Sequence, residues 1–122
     1  MNEKLSAEEK GTLLRLAREA LESGVRGEEL PPLDNSILTP LLRAEGAAFG
    51  TLTVRGQLRG CIGALEPYQP LADDVREHAI AAALQDYRFP PVRPDELSKI
   101  QIEVSRLTQP QPLEYLSPAD LL

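Results

Sequence analysis

Apolar residues recur along this chain with two different periods, and the change of period marks out the elements. Leu13, Leu16, Ala17, Ala20 and Leu21 fall at i, i+3, i+4, i+7 and i+8, with Arg15, Arg18, Glu19 and Glu22 on the other side. That stripe predicts an amphipathic helix. Ser6 and Glu9 supply a capping box at its start and Ser23-Gly24 a stop, which bounds the helix at 6–24. Residues 25–44 read as a linker punctuated by Gly27, Pro31-Pro32, Asp34-Asn35 and Pro40. Its scattered Leu30, Leu33, Ile37 and Leu38 point to a segment lying against the core.

From Ala48 the period shortens to two. Phe49, Thr51 and Thr53 alternate with Gly50, Leu52 and Val54, the pattern of a strand over 48–54. Arg55-Gly56-Gln57 forms a turn and Leu58–Gly63 returns as the second strand of a hairpin. After Glu66-Pro67-Tyr68-Gln69-Pro70, Leu71, Val75, His78, Ala79 and Ala82 line one face of a second helix. Its run of alanines predicts close approach to a sheet. Phe89-Pro90-Pro91 excludes helix from a loop over 86–92. Ile100, Ile102 and Val104 then alternate with Gln101, Glu103 and Ser105 in a strand over 99–107. Helix, hairpin, helix and strand together give an α+β class, an antiparallel sheet flanked by helices. The last residues, Ser117-Pro118-Ala119-Asp120-Leu121-Leu122, have the N-cap and first turn of another helix. The chain therefore reads as one domain, motif-bearing over 45–122 and incomplete at its C-terminus.

Composition narrows the function classes. One domain is the natural division of 122 residues. With 13 Lys and Arg against 19 Asp and Glu the net charge is −6, which disfavours nucleic acid. Three Tyr, two Phe and no Trp also make a poor base-stacking surface. A single cysteine forms no internal disulfide, and neither a signal-peptide core nor a membrane-spanning apolar run occurs, so a cytoplasmic protein is expected.

Candidate chemistry centres on Leu58-Arg59-Gly60-Cys61-Ile62-Gly63. Strand alternation would put Arg59 and Cys61 on one face, with Gly63 leaving an empty place ahead of the thiol. Cys61 then has two readings: a nucleophile or redox centre activated by a neighbouring cation, or a small buried hydrophobe between packing glycines Gly60 and Gly63. Arg59 reads as a fork for a carboxylate or phosphate, or as the partner of Asp86 or Glu103. Glu66 faces either the same cleft or solvent. Arg88 anchors the 86–92 loop or joins the site, and Glu103 falls on the polar face of its strand. The one histidine, His78, sits on an apolar stripe and offers no evident pairing with Cys61. Two Cys or His residues in all do not make a zinc site, and no phosphate loop, nucleophile elbow or dinucleotide fingerprint occurs. The cofactor is unknown, and whether the chain is an enzyme stays open.

Phe49-Gly50-Thr51-Leu52, Leu58–Gly63, Asp86-Tyr87-Arg88-Phe89-Pro90-Pro91-Val92 and Ile102-Glu103-Val104-Ser105, in this order, resemble the hallmarks of the AMMECR-type domain family. The resemblance covers about residues 45–122, with a looser match in the first helix. It implies a two-part α+β domain whose Arg-Gly-Cys segment lies near the cleft between the parts, and further strands beyond residue 122. Gly50 and Arg106 stand where the family often has branched apolar residues. No biochemical function is established for the family. Its prokaryotic members often neighbour a Memo-like protein and a radical S-adenosylmethionine enzyme, so those are the partners it implies. Two functions follow as expectations: binding of a small anionic ligand or protein partner through Leu58–Gly63, or Cys61-dependent chemistry in a Memo- and radical-enzyme-linked pathway. The site residues expected are Cys61 for catalysis and Arg59, Gly60, Gly63, Glu66, Arg88 and Glu103 for binding.

Overall fold

Ser6 begins the first helix as its sequence predicts: its hydroxyl accepts the Glu9 N–H at 3.0 Å and the Glu9 carboxylate accepts the Ser6 N–H at 2.8 Å. The structure is a computed structural model and describes residues 4–107 and the strand Leu113–Tyr115, so the expected helix start at 117–120 lies outside the described residues. Helix α1 spans Ala7–Arg26 and stops at Gly27, later than expected. Gly27 has a φ of 71°, and its N–H returns to the Gly24 carbonyl at 3.2 Å. Gly24 stays helical and serves a contact instead, since a Cβ there would lie 2.9 Å from Ile80.

The segment after α1 lies on the core. Asp34 caps a 3-10 turn at Asn35–Ile37, and helix α2 follows at Pro40–Arg43. Leu38 and Leu42 are buried in the same cluster as Leu13, Leu21 and Val75. The Arg76 guanidinium donates to the Pro31 carbonyl and ties the segment down.

Strands β1 (Glu45–Val54) and β2 (Gln57–Gly63) form the expected hairpin. Their two-residue turn, Arg55-Gly56, has φ of 53° and 79°, as a type I′ turn demands. β1 begins earlier than its alternation suggests because Glu45 and Gly46 find partners in the two-residue strand β3, Gln69–Pro70. Helix α3 (Leu71–Leu84) follows at once. The long 3-10 turn Pro94–Lys99 delays strand β4 to Gln101–Leu107, and β5 (Leu113–Tyr115) pairs with β4. The antiparallel order is β2-β1-β4-β5, with β3 against the start of β1.

Register fixes the two faces of the sheet. Ala48, Gly50 and Leu52 share one face with Val104 and Ile102, and the helices bury it. The alanines of α3 bring its backbone down onto this face. A Cβ at Gly50 would lie 2.9 Å from the His78 carbonyl oxygen, and one at Gly60 would overlap that of Ala82. Arg106 is buried on the same face opposite Ala48, a charged residue where alternation alone expects an apolar one. The other face carries Phe49, Thr51 and Thr53 with Cys61, Gln101 and Glu103. No helix among the described residues is long and apolar enough to cross a membrane.

Candidate functional site

The pairing of β1 and β2 slips by one residue between Leu52 and Thr53, where Leu52 faces Gly60 and Thr53 faces Leu58. Arg59 is the extra residue of this bulge. A bulge breaks strict alternation and re-aims a side chain, so the stacking of Arg59 behind Cys61 that alternation predicts does not occur. Instead Arg59 reaches Glu96 with both arms of its fork, Nε to Oε1 at 2.9 Å and Nη2 to Oε2 at 3.1 Å. Its Nη1 donates to the Pro90 carbonyl at 2.9 Å. Glu96, which also accepts the Arg93 N–H, is held below the usual carboxylate range chiefly by Arg59, against the opposing effect of burial. The partner of Arg59 is therefore Glu96 rather than Asp86 or Glu103. A hollow of about 450 Å³ beside the hairpin tip is lined by Val54, Arg55, Gln57, Leu58, Arg59 and Lys99, and Cys61 is not among its walls.

Cys61 sits beyond the bulge on the other stretch of β2, half-buried and reduced. Its Sγ lies 3.2 Å from Thr51 Oγ1, directly across the hairpin. Its backbone N–H points out of the sheet edge and donates to Asp86 Oδ2 at 2.9 Å. Thr51 and Cys61 therefore form a pair without mutual backbone bonds, which brings their side chains close. The same Asp86 carboxylate accepts from the Arg88 backbone N–H at 3.0 Å and from Arg88 Nε and Nη2 at 3.0 and 2.7 Å. Arg88, foremost, drives the Asp86 carboxyl far below its ordinary value, the Cys61 N–H adding to it. Asp86 in turn raises Arg88, and Cys61 acts electrostatically on the same guanidinium. Arg88 is thus the cation that Asp86 ties to the Cys61 backbone. It lies 5.5 Å above the Phe89 ring, and its side chain is 60 % exposed. Tyr87 beside it is fully exposed.

The 86–92 loop consequently runs along the outer edge of β2, joined to it at Cys61 through Asp86 and at Arg59 through Pro90. The two sequence motifs are halves of one clasp. Among the other expected site residues, Gly60 gives α3 its clearance, and the space ahead of Cys61 at Gly63 is filled by the Phe49 ring. Glu66 is exposed on the loop after β2. Glu103 faces Thr51 from the opposite side, so Cys61, Thr51 and Glu103 form one row across three strands. His78 lies on α3, whose backbone covers the opposite face at Gly50. Among the described residues no group of three or more His, Cys, Asp or Glu side chains could hold a metal ion. Sequence reasoning gave no site role to Thr51 or Glu96, which owe their places to register and to a contact 37 residues away in sequence from Arg59.

A family model described as AMMECR1 matches residues 14–121. The chain belongs to the AMMECR1 family. An AMMECR1 relative from Methanothermobacter thermautotrophicus is 49 % identical over 116 residues, covering 95 % of this chain and 60 % of its own length. One from Thermotoga maritima is 42 % identical, covering 88 % of this chain and 63 % of its own length. The crystal structure of uncharacterized protein PH0010 from Pyrococcus horikoshii superposes with a TM-score of 0.72 at 38 % identity, over 80 % of this chain and 50 % of that one. The chain thus spans about 60 % of the length of these AMMECR1 relatives.

Proposed function

We propose that this AMMECR1-family chain binds a small anionic ligand, a carboxylate or phosphate, at the corner where Arg88 meets Cys61. One observation carries the reading: a single carboxylate, Asp86, fixes both the Cys61 backbone and the Arg88 guanidinium while leaving that guanidinium largely exposed. Asp86 engages Nε and Nη2, which leaves Nη1 of a largely exposed side chain for an incoming oxyanion. The Thr51 hydroxyl and Cys61 thiol supply neighbouring donors. Arg59, saturated by Glu96 and Pro90, acts as the pin that keeps the loop in place. Calorimetric titration with inorganic phosphate and with succinate tests this. Arg88→Gln, folded by circular dichroism, should weaken binding by roughly tenfold or more, as expected for a lost charge-assisted contact. Equal affinity in the variant rejects the site.

The same corner supports a second reading, chemistry at Cys61, because this half-buried residue sets its sulfur beside the Thr51 hydroxyl while its backbone shares Asp86 with Arg88. Iodoacetamide labelling across pH separates the two. Rapid labelling near pH 7 supports it. Labelling that rises only above about pH 8, as for a free thiol, or that fails in the folded chain, rejects it. Partnership with Memo-like and radical S-adenosylmethionine proteins, and residence in a reducing cytoplasm, belong to this proposal. The family relationship supports the first and the free thiol the second.

A further inference from the structure

We propose that His78 is a proton-operated latch that holds the connection between β2 and α3, residues 64–70, against the helix. The proposal is independent of the anion site and rests on a separate cluster. The last ladder bond of the hairpin is Ala64 N–H to the Ala48 carbonyl at 3.3 Å. There the chain leaves the sheet, and the Ala48 N–H goes instead to Asp74 Oδ2 on α3 at 2.8 Å. Asp74 is fully buried. Two of the three polar side chains of the connection, Tyr68 and Gln69, land on Asp74 and its neighbour Glu77. Gln69 Nε2 donates to Asp74 Oδ1 at 2.9 Å and Glu77 Oε1 at 3.1 Å, and the Tyr68 hydroxyl donates to Glu77 Oε2.

His78 lies between these two carboxylates. Its Nδ1 is 2.9 Å from the Asp74 carbonyl and 3.1 Å from Asp74 Oδ2, both acceptors, so Nδ1 keeps its proton. Nε2 lies 3.9 Å from Glu77 Oε2. The proton that comes and goes is the one on Nε2. When it is present, a cation is flanked by two carboxylates that also grip the connection. When it leaves, an imidazole lone pair faces Glu77, and the carboxylate that anchors Tyr68 and half of Gln69 is pushed outward.

Around His78, α3 contributes Asp74 and Glu77 along with Asp73 and Arg76, the last turned away to the Pro31 carbonyl. The connection contributes Tyr68, and β1 contributes the backbone of Ala48 at Asp74 and of Gly50 at the His78 carbonyl. The hydrogen bond to Asp74 raises His78 above its usual value of 6.5, against burial, which lowers it. Burial alone would raise Asp74, but bonds from His78, Gln69 and Ala48 lower it overall. Tyr68 is pushed up to about 12 by Glu77 and remains a donor. A raised histidine stabilises fully below its unfolded value and loses that contribution as pH climbs through its folded value. The latch is closed below the raised His78 value and opens as pH climbs through it.

The test follows the His78 ring by NMR titration while amide exchange is read at Tyr68, Gln69 and Leu71. His78 should titrate above 6.5. Protection at those three amides should fall by about fivefold or more through the transition, with Leu52 and Val104 unchanged, as for a local opening. A midpoint at or below 6.5, or protection that ignores the transition, overturns the latch. Glu77→Gln, at an exposed position, should lower the midpoint and flatten the response. An undiminished response in that variant overturns it as well, and no His78 variant needs to fold for the decision.

Discussion

Gly60→Ala should destabilise the chain by about 3 kcal/mol, at the upper end of overpacking penalties. The new methyl group would overlap the Ala82 carbonyl oxygen, a backbone atom that cannot swing aside as a side chain can. α3 cannot simply retreat. Its backbone also rests on Gly50 at the His78 carbonyl, and Leu71, Val75 and Ala79 would lose contacts in the core. Shifting β2 away instead would break its pairing with Leu52 and pull on the Asp86 bond to Cys61. Against a total stability of about 5–15 kcal/mol this is a large fraction. Urea denaturation of both chains measures it, and a loss under about 1 kcal/mol would show the helix to be less tightly seated.

Asp74→Ala should cost about 3–5 kcal/mol, the range for removing one member of a buried, hydrogen-bonded charged pair. The change strands the buried Ala48 N–H at the point where β2 leaves the sheet, and removes partners from His78 and Gln69 together. Asp74→Asn should lose less, because one amide oxygen can still accept from Ala48. The pH dependence has a definite sign. The Asp74 carboxyl is lowered in the fold, so its contribution is present above the unfolded value of 3.8 and fades as pH falls through the lowered one. Denaturation midpoints at pH 7 and pH 3 should therefore converge between wild type and Asp74→Ala. A constant gap would place the effect in packing rather than charge.

Much of this architecture can be read from residues that repeat. The stripes on α1 and α3 and the alternation in β1 and β4 are periodic because each element buries one face, and period survives in a linear string. The bulge does not. One inserted residue leaves Leu58–Gly63 looking like an unbroken strand, yet it sends Arg59 to Glu96 and leaves the Cys61 amide to Asp86. The stop of α1, expected at Ser23-Gly24, falls at Gly27 for a related reason, since both glycines satisfy a local rule. The decision belongs to Ile80, more than fifty residues away in sequence. In the candidate site, Asp86, Arg88 and Phe89 were legible as a loop anchor because they are neighbours in sequence. What that anchor grips, an amide on an outer strand 25 residues earlier, is a tertiary fact with no local trace.

The clasp along β2 has a consequence for how the chain behaves in company. Outermost strands with vacant amides are templates on which other molecules extend a sheet, the first step towards fibrils. Here the amide of Cys61 is already spoken for by a carboxylate, and the following prolines, lacking N–H groups, offer an intruding backbone nothing to donate. Crowding many copies together finds that margin closed at Cys61.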